Sequence, residues 1–322
     1  MKHLRRSLIA GLSLASLVVS VPRVQAATVS AGDADGTPTL LTELLFNSAT
    51  ASTQASLSAT QIGVPNWVIG AQDGGSIGVQ STTGPNGATV NALEGSYPAS
   101  TATTGGQFMW ADYNVASLQT EDIYIEFWAK MPGAKGGAKF LKIFGDRPAP
   151  YNSFADTTFS TDYTGIDSGA MLEVIFGDGT TLGNDGQHAI KYSGSYLSML
   201  GRSYGSAVVQ TPQNNGFSSA DWGTGWHHFL VHAKFNSGTT TQNAVPDGEY
   251  FLQIDGKTYL DVVGLYNRNP ANEPINRIEL FGWAQNDPSP FQVWYYDVRI
   301  STGGFMPQGL PNPPGDVGVS IN

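Results

Sequence analysis

No cysteine occurs anywhere in the 322 residues. Disulfides, thiol nucleophiles and thiolate metal sites are therefore excluded. Charge is scarce as well, at 13% of residues. No window of a dozen residues carries a helical apolar period, so helices are not expected. Nor is there an apolar run long enough for a retained membrane anchor; the stretch from about Leu8 to Val21 is too short. Stability has to come from burial, and a chain near this length can bury a large core without covalent staples.

What the chain does contain is 39 glycines, 18 prolines and 11% aromatic residues, with abundant Ser, Thr and Asn. That profile fits a turn-dense, all-β exported protein, since a disordered chain would carry fewer aromatics. Lys2, Arg5 and Arg6 precede the first apolar stretch, and Val24-Gln25-Ala26 follows it as a small-residue cleavage pattern. Residues 1–26 are thus predicted to be a signal peptide, giving a secreted or periplasmic mature form without a membrane anchor. Cleavage there removes Lys2, Arg5, Arg6 and Arg23 and no acid, so the formal charge moves from −10 to −14. So acidic a protein is a poor partner for nucleic acid or anionic lipid.

Residues 27–38 read as a flexible lead-in, 39–306 as one domain, and 307–322 as a Pro-rich tail. Within the domain, strands are expected at 40–46, 67–70, 77–80, 89–93, 107–113, 123–131, 139–144, 170–176, 190–192, 197–200, 227–235, 250–254, 277–283 and 293–300. Asp255-Gly256 is expected to close a hairpin between 250–254 and 257–260. Many short strands joined by long loops indicate a two-sheet β-sandwich or jelly roll.

Strand alternation sorts the chemistry-bearing side chains. In 123–131 one face carries Ile123, Ile125, Phe127, Ala129 and Met131; the other carries Tyr124, Glu126, Trp128 and Lys130. Rings that stack on sugar C–H surfaces beside charged groups that anchor hydroxyls or carboxylates form one wall of a glycan groove. In 227–235, Phe229, Val231, Ala233 and Phe235 face the core, while His228, Leu230, His232 and Lys234 share the other side. His228 and His232 are roughly 13 Å apart along a strand, too far to bind one zinc ion. In 139–144, Lys139, Leu141 and Ile143 share one face; Phe140, Lys142 and Phe144 share the other. A lysine between phenylalanines is costly to bury alone, so Lys142 is expected either to snorkel to an edge or to point into the groove beside Glu126 or Lys130. Arg277, Glu279, Phe281 and Trp283 give a third polar-aromatic face. A single concave sheet holding Trp128, Trp283, Lys130, Lys142, Arg202, His232 and Arg277 is the resulting expectation, locally basic in an acidic protein.

Four stretches resemble the concanavalin A-like lectin/glucanase superfamily, and within it the jelly-roll polysaccharide lyases of the alginate and glucuronan lyase type. Residues 123–131 followed by Lys139-Phe140-Leu141-Lys142-Ile143-Phe144-Gly145 look like their paired central strands. Gly225-Trp226-His227-His228-Phe229 resembles their G-x-W-H strand, with the glycine directly before the tryptophan. Asp247-Gly248-Glu249-Tyr250 with Asp255-Gly256 resembles the next hairpin, and Trp294-Tyr295-Tyr296-Asp297-Val298-Arg299-Ile300-Ser301 the closing strand. The likeness spans about 40–305 and implies a concanavalin A-like jelly roll. It speaks weakly about activity, because the superfamily holds lyases, hydrolases and lectins alike. The glucanase acid pattern Glu-x-Asp-x-x-Glu is not reproduced: Glu121 and Asp122 precede Glu126 in the wrong spacing, and alternation sets Glu121 opposite Glu126.

The expected activity is therefore β-elimination on an anionic, uronate-containing polysaccharide, with a non-catalytic glycan-binding sandwich or a hydrolase of the same fold as alternatives. A lyase must neutralise the uronate carboxylate, remove the proton at C5 and protonate the leaving O4. Arg202 and Lys142 suit the first role, His188 or His232 the second, and Tyr192 or Tyr196 the third. Tyr124, Glu126, Trp128, Lys130, His228, Arg277, Glu279 and Trp283 are the expected substrate-binding residues. No cofactor is required. The resemblance also implies a structural calcium at Asp297, with a salt bridge to Arg299 as the other reading.

Overall fold

Strands of alternating pattern stack here into two antiparallel sheets that bury their apolar faces against each other. The computed structural model describes residues 30–46, 60–61, 66–71, 74–99, 107–115, 118–132, 138–145, 170–177, 196–201, 221, 223–238, 245–265, 274–284 and 289–307. In chain order the strands are β1 (Thr39–Leu44), β2 (Thr60–Gln61), β3 (Trp67–Ala71), β4 (Ser76–Thr83), β5 (Thr89–Tyr97), β6 (Gln107–Asn114), β7 (Asp122–Lys130), β8 (Ala138–Gly145), β9 (Ala170–Gly177), β10 (Tyr196–Gly201), β11 (His227–Lys234), β12 (Gly248–Ile254), β13 (Lys257–Leu265), β14 (Arg277–Ala284) and β15 (Phe291–Thr302). Sheet A runs β13-β12-β11-β7-β15-β5-β4, with β1 also on β15; sheet B runs β10-β9-β8-β14-β6-β3-β2. This is an all-β, two-sheet sandwich of the jelly-roll kind. No helix among the described residues is long and apolar enough to cross a membrane.

The core lies between the sheets. Ile123, Ile125, Phe127 and Ala129 of β7 and Phe229, Val231 and Ala233 of β11 supply it from sheet A. Phe140, Leu141 and Ile143 of β8 and Ile278 and Leu280 of β14 supply it from sheet B. Across the gap Phe140 lies 5.2 Å from Phe229 and 5.7 Å from Phe127, ring centre to ring centre. Each such side chain contributes roughly 1.5–3 kcal/mol by leaving water, enough to hold a domain that has no disulfide. Asp255 (φ 50°) and Gly256 (φ 78°) make the two-residue turn joining β12 to β13, the conformation an Asp-Gly pair favours.

Two expectations fail at this level. The segments read as paired central strands, β7 and β8, do not pair; they belong to opposite sheets. Phe140 and Phe281 were expected on the outward faces with Lys142 and Glu279, yet both rings lie in the core. The cause is backbone irregularity. β8 shifts register against β9 between Lys139 and Leu141, and Phe281 has a positive φ of 69°. A bulge of this kind inserts a residue and breaks the two-residue alternation.

Candidate functional site

On β8 and β14 the residues between the core positions point away from the core. Lys142 and Glu279 are Cα partners in register, and Lys142 Nζ donates to Glu279 Oε1. Both side chains are sealed from solvent, at 0% and 1% exposure. Glu279 is also in register with Asp112 on β6. Arg277, two residues earlier on β14, places Nη1 3.8 Å from Asp112 Oδ2. Trp110 sits on the same side of β6 as Asp112, and its ring lies where Gly70 has no side chain: a Cβ there would come within 2.1 Å of it. Two cations and two carboxylates are thus buried side by side on three neighbouring strands, outside the hydrophobic core. Glu279 Oε2 has no hydrogen-bond partner among the described residues.

The outer face of sheet A carries the other group of expected residues, in three zones. At one end the segment from Ser30 to Pro38 crosses the sheet. His232 is fully buried beneath it, stacked on Tyr124 at 4.0 Å. Its Nδ1 meets the Ala31 carbonyl and its Nε2 lies 2.5 Å from Asp122 Oδ1. The Tyr124 hydroxyl donates to the Asp33 carbonyl (3.1 Å), and Lys234 Nζ reaches Asp35 (2.5 Å) and Glu249 (3.4 Å). Burial raises the Tyr124 pKa, with Asp122 and Asp35 adding to the shift.

In the middle, His228 Nε2 lies 2.9 Å from Glu126 Oε1, and its ring lies 4.9 Å from that of Trp128. Arg299 donates from Nη2 to Asp297 (3.0 Å) and from Nε to Glu43 (2.8 Å). Burial pushes the Asp297 carboxyl up to about 6; Arg299 opposes the shift and Glu43 and Glu126 add to it. At the far end Lys130 Nζ sits between the rings of Trp226 (4.8 Å) and Trp294 (4.6 Å) and donates to Thr82 Oγ1 (2.6 Å). The Trp226 indole donates to the Thr83 carbonyl (2.7 Å). Val90, Ala92, Trp294 and Tyr296, with Trp128 and Trp226 packed on them, form a second small apolar cluster there. Burial lowers the Lys130 pKa, with Glu94 opposing.

The single concave sheet expected from alternation is therefore not what forms. Tyr124, Glu126, Trp128, Lys130, His228 and His232 lie on the outer face of sheet A; Lys142, Arg277 and Glu279 lie on the outer face of sheet B. Parity correctly turned these side chains away from the core, but it cannot say on which sheet a strand lands. The partner of Lys142 is Glu279, not Glu126 or Lys130. His232 cannot meet a substrate: it is sealed under the N-terminal segment, with both nitrogens engaged. His188, Tyr192 and Arg202 lie outside the described residues. Tyr196 opens β10 opposite Gly177, and Trp283 pairs with Phe108; of their side chains nothing is described. Asp112 and Trp110 went unnoticed in the sequence, although Met109-Trp110-Ala111-Asp112-Tyr113 alternates cleanly.

At Asp297 one oxygen stands open: Oδ1 is buried without a hydrogen-bond partner among the described residues. A hard cation needs several oxygens turned to one point, but the Arg299 guanidinium holds one Asp297 oxygen. Among the described residues no three His, Cys, Asp or Glu side chains converge as metal ligands.

Neither a protein-family model nor a curated protein matches this chain. Solved structures do align with it at low identity. Alginate lyase Aly36B with a bound alginate tetrasaccharide is 12% identical, with a TM-score of 0.47, covering 82% of this chain and 98% of that one. The endo-β-1,4-glucuronan lyase of the fungus Trichoderma reesei is 13% identical, with a TM-score of 0.42, covering 82% and 91%. The cellulose-induced protein Cip1 is 13% identical, with a TM-score of 0.46, covering 83% and 100%. TM-scores below 0.5 carry no weight for activity, and the sandwich assignment stands on strand order and register alone.

Proposed function

We propose that the mature chain is an exported polysaccharide lyase that cleaves a uronate-containing glycan by β-elimination, with its site on the outer face of sheet B. One observation carries this reading: the sealed Lys142–Glu279 pair beside Arg277 and Asp112, on central strands but off the core. Burying charges costs several kcal/mol per ion, and well-packed apolar residues often serve stability as well or better. A neutral-glycan lectin has no use for such a cluster. A lyase does, because the C5 proton of a uronate becomes removable only when its carboxylate is held against positive charge.

In the proposed reaction Arg202 faces the carboxylate, and Lys142, sealed and paired with Glu279, backs the site without touching the sugar. A base takes the C5 proton, the C4–O4 bond breaks as the C4–C5 double bond forms, and an acid returns a proton to O4. His188 is the base and Tyr192 or Tyr196 the acid; the burial of His232 removes it from the choice. Non-catalytic glycan binding is the second reading, favoured by the half-buried Trp128 and Trp226 on sheet A.

The test is incubation with alginate, glucuronan, pectate and glycosaminoglycans while absorbance of the unsaturated product is followed in the ultraviolet. A rise on one anionic polymer, lost in His188→Ala and Tyr192→Phe, is the expected result. New reducing ends without absorbance mean hydrolysis; binding with neither signal means a lectin. Sequencing the N-terminus of protein recovered outside the cell checks export, with Ala27 the expected first residue.

A further inference from the structure

The ladder between β8 and β14 stops one residue pair beyond the buried charges. It runs Arg277 to Phe144, Ile278 to Ile143, Glu279 to Lys142 and Leu280 to Leu141, and no further. Both strands continue: β14 stays paired with β6 to Ala284, and β8 stays paired with β9 back to Ala138. The pair that would come next is Phe281 with Phe140, and at this point both backbones depart from regular pleating.

Between them lies a hydroxyl from the other sheet. Tyr295 of β15 is fully buried and crosses the core. Its OH donates to the Phe140 carbonyl and accepts from the Phe281 N–H at 3.4 Å. In this way one hydroxyl takes up a backbone donor and a backbone acceptor of the two strands at the point where their ladder ends. The ring is seated by Phe281, 4.8 Å away and edge-on, and by Phe140 at 5.1 Å. Tyr97, also buried, donates to the next carbonyl of β14, that of Gly282, at 3.0 Å. A phenylalanine at 295 would fill the core equally well. What tyrosine adds is an oxygen, and a buried hydroxyl is unfavourable unless it is bonded.

We infer that Tyr295 is a positioning residue, a hydroxyl wedge that ends the β8–β14 ladder and so sets Lys142 and Glu279 on its second-last rung, beside the opening. Bulges beside active sites re-aim side chains in this way. The inference rests on the lyase reading for its consequence in catalysis, but not for its geometry. Without the wedge, Phe281 N–H and the Phe140 carbonyl lose the hydroxyl they share, the strands close, and the charged pair shifts with them.

The experiment compares wild type with Tyr295→Phe and with Ile300→Val, a core change on the same strand. With the polymer identified above, Tyr295→Phe lowers kcat by about 100-fold, the scale of an ångström-level misplacement, while KM stays within about two-fold of wild type. Its kcat–pH profile also shifts, because the charged pair that backs the site has moved. Ile300→Val leaves kcat and the profile alone. Tyr295→Phe with wild-type kcat and profile overturns the inference. The nitrogen-15 resonance of the Lys142 ammonium reads the geometry without any substrate. If no polymer is cleaved but this signal moves in Tyr295→Phe, the wedge stands and only the lyase reading falls. If it stays put in Tyr295→Phe, the wedge falls. Should Tyr295→Phe not fold, Tyr97→Phe takes its place: a Lys142 resonance displaced there supports the inference, and one unmoved overturns it.

Discussion

Replacing Lys142 by methionine isolates the claim that the sealed ion pair is kept for chemistry and not for stability. The two side chains are exposed by 0% and 1%, so no water screens what is left behind. Lys142→Met keeps most of the side-chain volume but leaves the Glu279 carboxylate buried without its counter-ion, a change that costs about 3–5 kcal/mol. With an m-value of about 3 kcal/mol/M in urea, the unfolding midpoint falls by about 1–1.7 M. The double change Lys142→Met/Glu279→Met removes both charges. It is expected to return to wild-type stability or exceed it by about 1–4 kcal/mol, as apolar replacements of buried pairs do. Tryptophan fluorescence in urea follows all the proteins, and the polymer assay is run beside it. The expected pattern is a double variant that is stable and inactive. A double variant as unstable as the single one would refute the reasoning, because it would mean that Lys142 serves packing or other charges more than it serves Glu279.

Three further outcomes follow from particular contacts. Burial raises the Asp297 carboxyl from 3.8 to about 6, so the folded state holds its proton more tightly than the unfolded chain, and stability is lost as pH rises through that window. At about 1.36 kcal/mol per pH unit, Asp297→Asn should gain up to about 3 kcal/mol on wild type between about pH 4 and pH 6.5, read from urea midpoints; a flat difference contradicts it. Adding a chelator should leave the melting temperature unchanged, since Arg299 already neutralises Asp297; a fall of several degrees would restore calcium to the account. Gly95→Ala should lower the melting temperature by the equivalent of about 1–3 kcal/mol, because its Cβ would come within 2.5 Å of the Phe281 ring and 2.9 Å of Met109. An unaltered melt would show that Phe281 is not fixed where the wedge requires it.

How far the sequence could be read depended on which physical quantity each inference used. Alternation is local, and it correctly gave the inward sides of β7 and β11 and the outward turn of Lys142, Arg277 and Glu279. The Asp255-Gly256 turn was equally local, since the conformation follows from two residues alone. It failed where the pleat breaks: a register shift turns Phe140 inward and a positive φ turns Phe281 inward, neither of which a period of two anticipates. The hydroxyl that bonds to both positions, on Tyr295, comes from a strand about 150 residues away in the case of Phe140. A tyrosine in an apolar run is a weak sign of such a role, and Tyr97 and Tyr295 both passed as ordinary strand residues.

Sheet membership was the larger gap, and it decides where chemistry belongs. Two strands with identical parity can end on opposite faces of a sandwich, and Trp128 and Lys142 did so. Once the sheets are separated, several polar residues of sheet A acquire structural explanations. His232 and Lys234 pin the N-terminal segment, Lys130 and Trp226 hold the end of β4, and Arg299 ties β1 to β15. On sheet B, Lys142 bonds Glu279 on the neighbouring strand already joined to it by the ladder. A sealed charge pair is an expensive device for holding a fold together. The cost of sealing that pair is the ground for the proposal that the reaction lies on sheet B.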